Sequence, residues 1–424
     1  MMKIKEILSS KRICMAKVAL SEAFNTYKKN RERAMQLENI ELLKKELRRI
    51  KEFSISNIEN LKERAIKNLE EHGVRVLQAE NSNKAKKMLL EIIPEKEKIV
   101  KSKSNVLNEI KVEEIFEGRN ELTETDCGDF LVKVCDEVSS HPVTPALHIP
   151  IEIMLEKIRK KFKVELEKSH EKIVEWVKYY LKKKIVEAKI GLTGANAITA
   201  DGTIVILENE GNISLISRIP EKHVIVSGID KLVPSLQDAM VICKASSIWG
   251  TGTSLPTYIN IISSPSKTAD IEKKIVYGVH GAKEVFLILV DNGRSSMIKE
   301  GLGEILYCIN CGSCLYFCPV YRQIFDNYGY DYLGGIGIAK TAFINDLKIA
   351  FERGLYCCTT CEACKINCPL DINVAEIVRN VREASVRMGM ETETNKKMIK
   401  NIREYGNPFG KIGEEKIPKE LYCC

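Results

Sequence analysis

The sequence predicts an α/β domain followed by a smaller, mainly α-helical module rich in cysteine. Three observations carry this. Strand-sized apolar segments alternate with helix-period segments from residue 73 to residue 290. The composition, 44% apolar and 29% charged over 424 residues, is that of an ordinary globular protein. Nine of the fifteen cysteines fall between Cys308 and Cys368. In a reducing compartment such a density of thiols marks metal binding more often than disulfides.

Over residues 1–70 Lys, Glu, Leu and Ile recur at helical spacing with neither Pro nor Gly, predicting two or three helices, the longest over 38–69. A strand over 73–78, a helix over 85–92 and a strand over 98–102 follow, the rhythm of a parallel sheet covered on both faces. Residues 151–189 form a second helical block, whose charged stretch 157–184 reads as a solvated face. Residues 197–207, broken by Asp201-Gly202, read as a β-hairpin. Residues 213–216 and 223–228 read as strands, 233–244 as a helix, and 258–263 and 285–290 as apolar strands. The first domain, residues 1–295, closes near Asn292-Gly293-Arg294. Residues 295–303 read as a linker, 304–390 as the cysteine-rich module and 391–424 as a polar tail.

The formal charge of +7 arises from 65 basic and 58 acidic residues mixed along the chain. No Arg-rich stripe with interleaved aromatics stands out, so nucleic acid is not an expected partner. No apolar run reaches membrane-spanning length, and the opening Met-Met-Lys-Ile-Lys-Glu lacks a signal-peptide core. The expectation is a cytoplasmic protein without a transmembrane segment, reaching a membrane through partners if at all.

Two cysteine motifs repeat. Cys308, Cys311, Cys314 and Cys318-Pro319 follow a C-x2-C-x2-C-x3-C-P spacing, and Cys358, Cys361, Cys364 and Cys368-Pro369 repeat it. This is the bacterial ferredoxin pattern, in which the fourth cysteine ligates the other cluster. Three thiolates on a tight turn bind three irons of one cube, while the fourth, held by the Cys-Pro step, points away. The spacing therefore assigns Cys308, Cys311, Cys314 and Cys368 to one [4Fe–4S] cluster, and Cys358, Cys361, Cys364 and Cys318 to a second. Zinc is the competing reading of four thiolates, but its sites use Cys-x2-Cys pairs separated by a longer loop. Cys357 reads as a spare thiol or as a swap partner for Cys358. Cys14, Cys127, Cys135 and Cys243 read as buried apolar residues, and Cys423-Cys424 as bystanders.

The forty-residue interval from Cys318 to Cys358 has helical character over 337–351. It resembles the alpha-helical ferredoxin module of succinate dehydrogenase and heterodisulfide reductase subunits, which relays electrons to a neighbouring subunit. Other stretches are similar to the lactate-utilisation iron–sulfur proteins, the family defined by the LUD domain. They are Lys101-Ser102-Lys103-Ser104, Glu124-Thr125-Asp126-Cys127-Gly128-Asp129, Gly194-Ala195-Asn196-Ala197 with Asp201-Gly202-Thr203, Glu208-Asn209-Glu210-Gly211-Asn212, His223 and Asp291-Asn292-Gly293-Arg294. The resemblance covers about residues 15–380. It implies a NagB/RpiA/CoA-transferase-like fold for the first domain. It further implies an iron–sulfur electron-transfer subunit of a multi-subunit oxidoreductase acting on lactate or a related 2-hydroxy acid. The tail around Gly406-Asn407-Pro408-Phe409-Gly410 resembles the region preceding CCG domains, so a separate CCG-domain protein is the expected partner.

A second function class stays open for the first domain. The loop from Glu208 to Asn212 reads as a strand-end turn, as a ligand loop, or as the source of a glutamate nucleophile for acyl or CoA transfer with the clusters as redox regulators. Lys101 to Ser104 reads as an anion site or as solvated lysines. His141 and His148 read as loop imidazoles ahead of a metal pair. Gly250-Thr251-Gly252-Thr253 lacks the spacing and the Lys of a phosphate loop. No flavin or nicotinamide fingerprint occurs, so chemistry on an alcohol would borrow a hydride acceptor from a partner, such as a flavin dehydrogenase.

Overall fold

A computed structural model describes residues 4–412. The strands, in chain order, are β1 (Arg75–Ala79), β2 (Lys98–Lys101), β3 (Glu121–Glu124), β4 (Ile190–Thr193), β5 (Ala197–Thr199) and β6 (Thr203–Glu208). They continue with β7 (Lys222–Gly228), β8 (Leu232–Val233), β9 (Tyr258–Ile262), β10 (Lys267–Thr268), β11 (Val276–Tyr277) and β12 (Glu284–Val290). Six of them form a wholly parallel sheet in the order β1-β12-β7-β4-β2-β3. Parallel sheets need cover on both faces, and the central strands accordingly read as unbroken apolar runs: Val285 to Val290 on β12 are all buried. A smaller mixed sheet, β8-β5-β6-β9, sits beside it, with the expected hairpin turning at Asp201-Gly202.

Several expectations are corrected. The segment 38–69 breaks at Asn57 into helices Ile40–Ser56 and Ile58–Glu71, so the longest helix is Lys11–Gln36. Residues Asn212–Ile216 form a helical turn rather than a strand, because Gly211 at φ 85° starts a turn whose Ser214 amide is held by the Glu208 carboxylate. The supposed linker holds the helix Arg294–Lys299, with Met297 fully buried. The polar tail contains the amphipathic helix Glu393–Tyr405. Cys14 is exposed and Cys127 half-buried, whereas Cys135 and Cys243 are buried as expected. Cys423 and Cys424 lie outside the described residues.

The cysteine-rich module is helical, with helices Gly334–Ile344 and Leu347–Glu352 between the two motifs and Val374–Arg387 behind them. It does not hang from a tether. One continuous apolar core runs from Ile13 through the small sheet to Val381. Helix Lys11–Gln36 clamps the two parts together. Tyr27 Oη lies 2.7 Å from the Trp249 carbonyl and 2.8 Å from Ser313 Oγ, while Arg31 donates to Ser313 Oγ and Asn367 Oδ1, both at 3.0 Å. No helix among the described residues is long and apolar enough to cross a membrane.

Candidate functional site: thiol groups beside a cleft

Each cysteine motif ends in a short helical turn, Ser313–Phe317 or Ala363–Ile366, begun by a residue of left-handed conformation, Gly312 or Glu362. Gly312 needs its freedom. Its φ is 77°, and a Cβ there would press to 3.0 Å from the His141 ring and 3.1 Å from Pro142. The first motif is thereby packed onto the first domain.

Of the eight motif thiols Cys361 is exposed and the other seven are half-buried. Burial raises the Cys311 thiol, and Cys368 and Cys308 raise it further. Burial raises Cys314, and Cys311, Cys308, Cys368 and Cys364 raise it further. Burial pushes Cys318 up to about 11, with Cys358 and Cys361 contributing, and Cys364 up to about 12, with Cys318, Cys358 and Cys361 contributing. Thiols of the two motifs thus stand close enough to act on one another: Cys368 on Cys311 and Cys314, Cys364 on Cys314, and Cys358 and Cys361 on Cys318.

Buried, mutually repelling thiols suit a polycationic cluster that keeps them ionised. No three His, Cys, Asp or Glu donors among the described residues converge on one metal ion. Backbone amides add polarity at the sulfurs: Asn310 N to Cys308 Sγ, Tyr321 N to Cys318 Sγ and Leu370 N to Cys368 Sγ, each 3.4 Å. The residues present fit two iron–sulfur cubes.

Behind Cys308 lies a buried charge network that sequence reasoning missed. Arg294 holds Glu109 through both terminal nitrogens at 2.9 Å and Asp230 through Nε; Tyr332 donates to Glu109 at 2.7 Å. Burial alone would raise Asp230, yet Lys231 and Arg294 hold it well below the usual carboxylate range. Lys231 Nζ lies 3.0 Å from Asp230 and 3.5 Å from the Cys308 carbonyl. Lys51 Nζ donates to the Asp230 carbonyl at 2.6 Å, and Lys340 Nζ to Asn310 Oδ1 at 2.9 Å. Three buried lysines thus stand behind Cys308, and burial lowers two of them, Lys340 and, to about 7, Lys51.

The second feature is a cleft of ≈ 310 Å³ outside the carboxyl ends of β2 and β4, where α/β sheets place ligands. Four stretches singled out in the sequence converge on it: Ser102 to Ser104, Gly194 to Asn196, Glu208 to Asn212, and Gly250-Thr251. The loop Ile309-Asn310-Cys311 forms its far wall. Gly194 lets β4 approach, since a Cβ there would lie 2.5 Å from Ser104 Oγ. Lys101 is not an open cation: it is buried against Glu124, which raises it against the lowering effect of burial. Lys103, by contrast, has no hydrogen-bond acceptor on its buried Nζ; Asp129 stands 3.5 Å away. Glu208 is tied down by Ser214 N at 3.0 Å and Asn260 Nδ2 at 2.7 Å, a structural carboxylate. Glu210 accepts from Cys127 N at 3.0 Å, and burial, then Asp126, pushes it up to about 7.

His141 and His148 each have neighbours of their own. His141 Nδ1 accepts from Val143 N at 3.1 Å, and His148 lies 3.7 Å from Glu137. Thr251 and Thr253 bind Ser247 and each other, closing off a helix end.

A family model described as the LUD domain matches residues 62–290, and one described as a 4Fe-4S dicluster domain matches residues 304–372. "Lactate utilization protein B" of Bacillus subtilis (strain 168) is 31% identical over 362 residues, covering 83% of this chain and 73% of that protein. The protein of that name from Bacillus velezensis is 30% identical over 356 residues, covering 82% and 73%. The one from Geobacillus sp. (strain WCH70) is 28% identical over 381 residues, covering 88% and 78%. The chain therefore belongs to the LUD-domain family and joins its LUD domain to a 4Fe-4S dicluster domain.

Proposed function

We propose that the chain is the electron-relaying iron–sulfur subunit of a complex that oxidises lactate or a related 2-hydroxy acid. In this reading Cys308, Cys311, Cys314 and Cys368 hold one [4Fe–4S] cluster, and Cys318, Cys358, Cys361 and Cys364 the other. When bound, each cluster accepts and releases one electron. The chain's own residues hold the thiolates at fixed separation, donate amides to their sulfurs and exclude water with the apolar core behind them. Electrons would pass between a partner dehydrogenase bearing a hydride acceptor and a CCG-type subunit. The observation that carries the reading is the repeated cysteine motif, both copies of which fall within the residues matched by the 4Fe-4S dicluster model; the names of the relatives support the substrate class.

The test is anaerobic purification with iron and sulfide analysis, then electron paramagnetic resonance after dithionite. The reading expects about eight irons per chain, with Cys311→Ser and Cys361→Ser each losing a different one of two signals. L-lactate, D-lactate or glycolate added with the native partners should then bleach the cluster absorbance. Zinc in place of iron, or both signals retained in both variants, would sink it.

A second reading, acyl or CoA transfer by the LUD domain with the clusters as redox regulators, is favoured only by Glu210 on the cleft wall. It expects activity that survives cluster loss and fails in Glu210→Gln.

A further inference from the structure

Burying an ammonium group is costly unless an anion or a full set of acceptors answers it. Lys51 and Lys340, two of the lysines behind Cys308, are 1% and 3% exposed. An ammonium can donate three hydrogen bonds. Lys51 has the Asp230 carbonyl at 2.6 Å; Lys340 has Asn310 Oδ1 at 2.9 Å and the Tyr332 ring, 4.6 Å to its centre. Among the described residues neither forms an ion pair with a carboxylate.

Counting the buried groups around them leaves a positive excess. Lys51, Lys231, Lys340 and Arg294 bring four cations, Asp230 and Glu109 two carboxylates, and none of the six is more than 9% exposed. Arg294 is matched by Glu109 and Lys231 by Asp230, which leaves Lys51 and Lys340. The other carboxylates on the cavity lined by Cys308 and Cys314 are Asp129, Asp326 and Asp331, and they have Lys103, Arg12 and Lys111 as partners. Further out, the part-exposed Glu304 and the exposed Asp371 have Arg48 and Lys44. Burial lowers both lysines, while Cys308 and Asp230 act the other way. A cube held by four thiolates is an anion that gains one more negative charge on reduction. Such an anion answers two uncancelled ammonium groups, and they in turn favour its reduced form.

The other ligand set lies in different surroundings. The cavity lined by Cys318, Cys358, Cys361 and Cys364 has one charged residue on its wall, Glu362, which is exposed like Cys361. Outside that cavity the half-buried Arg382 donates to the Cys358 carbonyl at 2.6 Å, and Lys365 is half-buried beside Cys364. Water also favours a reduced anion, so exposure at Cys361 works against a difference between the two sets. Charges act on one another about four times more strongly at a protein's effective dielectric than in bulk water, so two buried ammonium groups outweigh it. We propose that Lys51 and Lys340 are the countercharges of the cluster bound by Cys308, Cys311, Cys314 and Cys368, and that they set its reduction potential above that of the cluster exposed at Cys361. The proposal rests on the electron-carrying reading and the ligand sets above, and adds a rank order to the two carriers.

The experiment is an anaerobic redox titration of the cluster-loaded full chain, without partners, followed by electron paramagnetic resonance, with iron counted in every variant. Two reduction steps are expected. Cys311→Ser should abolish the step at higher potential, and Cys361→Ser the step at lower potential. Lys51→Met and Lys340→Met should each move the higher step down, further in the double variant, and leave the lower step in place. Full iron content alongside a shifted potential separates the charge of these lysines from a merely structural role. Three results would each overturn the proposal and leave the electron-carrying reading standing. They are a higher step that survives in Cys311→Ser and vanishes in Cys361→Ser, a single unresolved step, and lysine variants that keep their iron and leave the higher step unmoved. Where the lysine variants lose iron, the order of the steps in the two cysteine variants still decides. Zinc in place of iron would overturn the electron-carrying reading itself, and this proposal with it.

Discussion

Arg294 is the residue whose loss should be felt most widely. Its side chain is 3% exposed and Glu109 is fully buried, so the pair sits in a low-dielectric interior with Asp230 on the other flank. Replacing Arg294 with Met keeps the length and leaves no large void. It does leave two buried carboxylates short of a countercharge. Breaking a buried pair in this way costs about 3–5 kcal/mol. Glu109 keeps donors in Asn292 and Tyr332, and Asp230 keeps Lys231, so the lower end, about 3 kcal/mol, is expected. For a chain of 424 residues that is a fall in Tm of roughly 3–4 °C, read by circular dichroism or calorimetry on the cluster-loaded protein. The decisive comparison is Arg294→Met with Glu109→Leu. Removing both partners removes the stranded charge, so the double variant should be more stable than Arg294→Met alone. A double variant no better than the single one, or a single variant within about 1 kcal/mol of the parent, would refute the reasoning. The contribution of Asp230 has a defined pH sense. Its folded pKa lies below the unfolded value, so its stabilisation is complete above about pH 4 and is lost as pH falls through the folded pKa.

Two further outcomes follow from the site. Lys340 Nζ reaches Cys308 through Asn310, within about 6 Å, so Lys340→Met should lower the potential of that cluster by on the order of 100 mV in a redox titration. An equal shift at both clusters, or none, would count against the assigned thiol groups. Glu210 is raised to about 7 among Asp126, Glu124, Lys103 and the Cys127 amide. Its folded pKa exceeds the unfolded value, so its protonated form is favoured by folding and stability is lost as pH rises from about 4.5 to 7. Glu210→Gln should remove that loss, read as Tm against pH. A stability profile unchanged in that variant would refute the raised titration of Glu210.

What could be read from the sequence follows the range of the interactions. The cysteine motifs are local, so their spacing alone specified the turns. The central strands were legible because Val285 to Val290 cannot be anything but buried. Short segments were not: Ile213 to Ile216 are apolar enough for a strand, and only the carboxylate of Glu208 winds them into a turn. Helix Lys11–Gln36 was underestimated because its buried residues, Ile13, Ala16, Leu20, Tyr27 and Ala34, are sparse and include two alanines. The charge network was invisible. Glu109, Asp230, Arg294 and Tyr332 are spread over more than two hundred residues, and each looks locally like a surface residue.

The ligand sets proposed above also bear on how the protein is made. Cys308, Cys311 and Cys314 leave the ribosome well before Cys368, which stands fifty-four residues further on than Cys314. With those sets, a cube on the first motif would lack its fourth thiolate until Cys368 had been made, and one on the second would close only once its turn had docked against Cys318. Neither cube could then be completed before the helices between the motifs, Gly334–Ile344 and Leu347–Glu352, had folded.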